Sequence, residues 1–175
     1  MVVKTIACIA TIIFATAHAA RADEFQNVKC GGDIPKAMIG QHSPNERVVV
    51  TEKKYGALGL KHLGTDEVSD NLSQMDWRIC GAEYTALVTR SGRVGDVIPV
   101  PPHSKQSPSF SGVCKLNGKE LPGFVYGVLD RTKDAENLPA LHAWKIDERN
   151  AKFVKMPTEG LLCSKNGIYT VDGGL

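Results

Sequence analysis

Four cysteines and four histidines hold most of the reactive side chains of this sequence once its first 22 residues are set aside: Cys30, Cys80, Cys114, Cys163, His42, His62, His103 and His142. A structural zinc site would show two close ligand pairs. Here the nearest cysteines, Cys80 and Cys114, stand 34 positions apart. An even number of cysteines in an exported chain reads instead as two disulfides, for which three connectivities exist. Pairing Cys30 with Cys80 and Cys114 with Cys163 is favoured, because each bridge would tie a segment end to a strand end. Each would add roughly 2–4 kcal/mol by constraining the unfolded chain. A Cys-His nucleophile would need one thiol to stay reduced in an oxidising compartment, which speaks against it.

The histidines show no one-face helical spacing for a metal, and neither a metal nor another cofactor is expected. His142 falls in an expected strand beside Trp144, which suits a structural role. His103 is the best candidate base. It sits in a segment, residues 99–112, that carries Pro99, Pro101, Pro102 and Pro108 among Ser104, Lys105, Ser107, Ser109 and Ser111. Proline cannot donate to a sheet ladder, so an extended exposed loop is expected here. Its preset backbone suits recognition of a partner as well as a plain crossing between strands. No Gly-x-Ser-x-Gly is present, adjacent Ser104 and Lys105 lack the helical spacing of serine-lysine acylating enzymes, and no glycine loop ends in Lys-Ser/Thr. Carboxylates such as Asp66, Glu67, Asp70, Asp147 and Glu148 fit a helix start or a turn, so spacing alone selects no glycosidase pair. Asn71-Leu72-Ser73 matches a glycosylation sequon and is taken as a chance match within an expected helix.

The opening residues read as an address. Lys4 precedes an uncharged run of about 11 residues, far short of the roughly 20 that span a bilayer, and small residues follow at Ala17, Ala19, Ala20 and Ala22. A signal peptide over residues 1–22 is expected, with cleavage after Ala22 preferred to cleavage after Ala19. The full chain has 21 Lys+Arg and 19 Asp+Glu, and Lys4 and Arg21 lie in the leader, so the remainder carries 19 of each and is formally neutral. A broad electrostatic footprint for nucleic acid or anionic lipid is therefore not expected.

Residues 23–175 are enough for one domain with a real core. Residues 77–80, 84–89 and 94–100 set up a β-hairpin, joined across Arg90, Ser91, Gly92 and Arg93. The clearest helix is expected over 65–75, with Thr65 as N-cap, Asp66 and Glu67 in the first turn, and Val68, Leu72 and Met75 on one face that packs against this hairpin. Residues 34–39 read as a short turn or edge strand, 47–51 as a strand, and 52–63 as an irregular turn weakened as helix by Gly56 and Gly59. Asn117-Gly118 marks a hairpin. Strands are expected over 124–129, 141–146, 152–156, 161–163 and 168–171.

The expected architecture is α+β: an antiparallel β-meander packed by one main helix and braced by two disulfides. The leading functional expectation is a periplasmic or extracellular non-enzymatic binding module that inhibits or senses another protein, or takes a small polar ligand, through Pro101, Pro102, His103 and Lys105. Neither nucleic acid nor a membrane span is expected. A small secreted hydrolase built around His103 and Ser104, and a structural envelope component, are the alternatives.

Overall fold

From Lys61 onward the chain advances by hairpins. In the computed structural model, which describes residues 23–43, 46–132 and 135–168, β1 (Lys61–Ser69), β2 (Leu72–Ile79), β3 (Ala82–Thr89) and β4 (Val94–Pro99) form a four-stranded antiparallel meander in that order. The expected leader, residues 1–22, and residues 169–171 of the last expected strand lie outside the described residues. The β2–β3 connection is two residues long, with Cys80 at φ 53° and Gly81 at φ 82°. Two consecutive positive φ values match the right-handed twist of the flanking strands, which is why so short a loop closes here.

A second sheet contains β5 (Ser109–Gly112), β6 (Cys114–Leu116), β7 (Lys119–Glu120), β8 (Val125–Leu129), β9 (Asn137–Asp147), β10 (Lys152–Lys155) and β11 (Leu161–Ser164). Its order is β5-β8-β9-β11-β6-β7, with β10 also on β9, so the simple meander stops at β4. The long β9 serves two partners: residues 137–139 pair with β11, and its later residues pair with β8 and β10. The pairing of β8 with β9 needs glycine at residue 127, since a Cβ there would collide with the carbonyl oxygen of His142. The Asn117-Gly118 hairpin forms as expected, joining β6 and β7.

The expected helix over 65–75 is not formed. Those residues are the end of β1, the turn at Asp70-Asn71 and the start of β2, with Ser69 opposite Leu72. Val68, Leu72 and Met75 mimic helical spacing. In the strands, though, Leu72, Gln74 and Asp76 are buried on one face and Trp77 and Ile79 on the other. Residues 47–51 likewise depart from the expected strand and open α2 (Val48–Lys54). They lie outside both sheets, and a helix satisfies its own N–H and C=O groups where a lone strand cannot. A single 3₁₀ turn follows at Gly56–Leu58. Residues 34–39 contain α1 (Ile34–Met38), started by Asp33, whose side chain accepts from the Lys36 amide at 3.1 Å.

Residues opposite one another in antiparallel strands share a face, and this sorts the cores. Trp77, Ile79, Ala86 and Val88 meet Phe25 and Val28 of the N-terminal segment, Ile34 and Met38 of α1, and Leu60 just before β1. On the reverse face Val68, Leu72 and Leu87 meet Tyr126, Ile146 and Phe153 of the second sheet. A third core, with Phe110, Val125, Leu129, Leu138 and Leu161, gathers residues of the second sheet around Cys114 and Cys163. Both favoured disulfides are present: Cys30–Cys80 ties the N-terminal layer to the β2–β3 turn, and Cys114–Cys163 joins directly opposed positions of β6 and β11. The cover on the meander is thus two short helices and the consecutive turns of residues 23–28.

Candidate partner-contact loop

Residues 100–108 carry the chain from the first sheet to the second, and hydrogen bonds hold them along their length. The Val100 amide donates to the Glu83 carbonyl at 2.9 Å, the Arg131 amide to Gln106 at 2.8 Å and the Leu129 amide to Pro108 at 3.0 Å. Within the loop, Ser104 and Ser107 exchange both backbone bonds, at 3.0 and 3.2 Å. The Ser104 hydroxyl accepts from the amides of Gln106 and Ser107 and lies 2.9 Å from the Ser107 hydroxyl. Serine followed by a tight return is the local reason this turn forms. The proline-rich segment is therefore a shaped protrusion.

His103 folds back on the first sheet. Its Nδ1 lies 3.2 Å from the Pro101 carbonyl oxygen and its Nε2 3.2 Å from Glu83 Oε2, while Glu83 Oε1 accepts from Arg78 Nη2 at 2.7 Å. Arg78 and Glu83 are opposed positions on β2 and β3, so the hairpin register sets this trio. Pro101 and His103 are half-buried; Pro102 and Lys105 are exposed. Of the four sequence-predicted contact residues, the structure turns two outward and uses the other two as a foot. His103 meets an acid, yet among the described residues no hydrogen bond joins it to Ser104, whose hydroxyl is engaged in its own turn. A histidine-acid pair without an aligned nucleophile can move a proton but cannot form an acyl intermediate.

Behind Glu83, between the sheets, lies a polar group that the sequence reading missed. Asp76 is pushed up to about 6 by burial, against the side chains of Thr85 and Gln74, which favour its charged form; the charges of Asp66 and Glu83 push it further up. Gln74 Nε2 is 3.4 Å from both Asp76 oxygens, and the Thr85 hydroxyl lies beside the carboxyl without hydrogen-bond geometry. Burial also raises the Tyr126 phenol well above its ordinary value, helped by Asp76 and Glu83. On the opposite side of the meander, burial pushes Glu24 up to about 7, offset by the Ser43 hydroxyl and aided by the charge of Asp23. The alternation Leu72, Gln74, Asp76 was the available signal, hidden by the helical reading of the same residues. Among the described residues no group of three His, Cys, Asp or Glu is placed to hold a metal ion. An open groove of about 440 Å³, lined by Pro122, Lys145, Ile146, Asp147 and Val154 among others, contains none of the loop residues.

No family model, no curated protein and no solved structure matches this chain. Among the described residues no helix is long and apolar enough to cross a membrane.

Proposed function

We propose that the protein is an exported, non-enzymatic binding module that contacts a protein or a small polar ligand of the cell envelope through Pro101, Pro102, His103 and Lys105. One observation carries the reading: the proline-rich loop is held by its own hydrogen bonds while Pro102 and Lys105 point to solvent. A loop already ordered loses little conformational freedom on binding, so more of the contact energy survives as affinity. Two disulfides suit an oxidising compartment and support export. The test is affinity capture from the native envelope fraction with the wild-type chain and with P101A/P102A/H103A/K105A. The wild type retains a partner that the fourfold variant, matched in circular dichroism and melting temperature, releases. Equal retention by both would remove the loop from the contact surface.

The approach of His103 to Glu83 favours one second reading, a small hydrolase using His103 as base. Under it, H103A would abolish turnover on a panel of chromogenic esters and glycosides. Under the binding reading, wild type and variant are equally inert.

A further inference from the structure

The N-terminal segment has anchors of different kinds at its two ends, and only one of them is covalent. Cys30–Cys80 holds the far end to the β2–β3 turn. The near end is held by the Glu24 amide, which donates to the His42 carbonyl at 2.9 Å, and by Asp23 Oδ2, 2.9 Å from Lys54 Nζ. Between them Phe25 packs edge-on to Trp77 at 5.0 Å and against Tyr55 at 5.4 Å. Directly beside this packing the Glu24 carboxyl is fully buried. Its Oε1 accepts from the Ser43 hydroxyl at 3.2 Å, and among the described residues its Oε2 has no partner.

Every element around that carboxyl contributes a group. Asp23 is on its own segment; Lys54 and Tyr55 come from α2 and its end, with Glu46 4.0 Å from Lys54; the backbone of His42 pairs with those of Asp23 and Arg93; Met75 comes from β2, its sulfur 3.9 Å from the Ser43 hydroxyl. The nearby cation, Lys54, is taken by Asp23 and Glu46, and among the described residues no cation pairs with Glu24. A carboxylate formed here would be dry and uncompensated on one oxygen, which is costly. Lifting the segment into water relieves that cost.

We infer that residues 23–28 form a pH-operated strap: neutral Glu24 seats it over Trp77, and ionisation of Glu24 loosens it while Cys30–Cys80 keeps it tethered. The direction follows from linkage. Glu24 keeps its proton to about pH 7 when seated and to about 4.5 when free. The open fraction is therefore lowest below pH 4.5, rises about tenfold per pH unit up to 7, and levels off about 300-fold higher.

Native-state hydrogen exchange tests this, read from pH 4 to 8 and corrected for intrinsic rates. The probes are the strap amides of Glu24, Gln26 and Val28, whose acceptors are the His42, Asp23 and Phe25 carbonyls. Their protection in the wild type falls about 200-fold from pH 4 to 8, most of it between 4.5 and 7, while amides of β3 keep theirs. E24Q, a neutral isostere, gives strap protection that stays flat with pH. D76N, with its carboxyl on the other face of β2, leaves the strap response intact. A slope that persists in E24Q, or strap and β3 amides that lose protection together, would overturn the strap.

Discussion

Asp76 sits where the two sheets press together, and its proton makes stability depend on pH. Its ordinary value is 3.8 and burial carries it to about 6 in the fold. The folded state binds the proton more tightly than the unfolded chain. Asp76 is therefore least costly below pH 4, becomes more costly as pH rises to 6, and imposes a constant penalty of about 3 kcal/mol beyond that. D76N removes a charge that cannot be solvated and changes little in shape. In urea titrations the variant should match the wild type at pH 4 and exceed it by about 3 kcal/mol at pH 7. An equal difference at both pH values would show that Asp76 does not titrate in this window. Glu24 carried no signal in the sequence, because carboxylates differ only in what covers them, and the alternation of Leu72, Gln74 and Asp76 that marks Asp76 was hidden by the helical spacing of its neighbours. Glu24 is covered by Ser43 and Asp76 by Tyr126 and its neighbours, contacts made across 19 and 50 positions of chain. The Pro101–Lys105 loop was legible, since proline reports its backbone preference locally; its foot on Glu83 was not.

At the scale of elements, the legible parts were those with a strong turn signal. Arg90 to Arg93, Asn117-Gly118 and Asp147 to Ala151 each separate strands that formed, with Ala151 itself at φ 49°. The misread stretch, 65–75, holds a weaker signal, Asp70-Asn71, inside a run whose apolar residues fall three and four apart. Period alone cannot choose between helix and strand there; the choice is made by β3, which pairs with β2 over its whole length. The disulfides were readable for another reason, since four widely spaced cysteines leave few alternatives. Cys114–Cys163 staples β6 to β11 across 49 positions. Replacing both by alanine should cost about 4 kcal/mol through the freed denatured chain, measured as a fall in the urea midpoint with a steeper slope, since the freed chain exposes more surface. A loss under 1 kcal/mol would mean that the β6–β11 pairing holds its register unaided.

At the scale of the whole molecule the first sheet is a shared wall, covered on one face by the N-terminal layer and on the other by the second sheet. The sheets also meet at their edges. Lys152 Nζ donates to the Gly95 carbonyl at 2.9 Å, the Phe153 amide donates to Asp96 Oδ2 at 2.9 Å, and Gly95 lies so close to Ala151 that a Cβ would collide. Cooperativity should follow from that sharing, because opening the wall on either face exposes apolar surface on both sheets. Leu87 is fully buried at the centre of the inter-sheet core. L87A should therefore cost about 2–5 kcal/mol, and the loss should reach elements that Leu87 does not touch. The two tryptophans report on opposite sides: Trp77 under the N-terminal layer and Trp144 beside Tyr126 in the second sheet. Urea titrations of W77F and W144F, each with and without L87A, read one tryptophan at a time. If the sheets fold as one unit, L87A lowers the midpoint by the same amount in the W77F and W144F backgrounds. A Trp144 transition that stays put while the Trp77 transition falls would divide the chain at residues 100–108, making that loop a linker between two separately folding sheets.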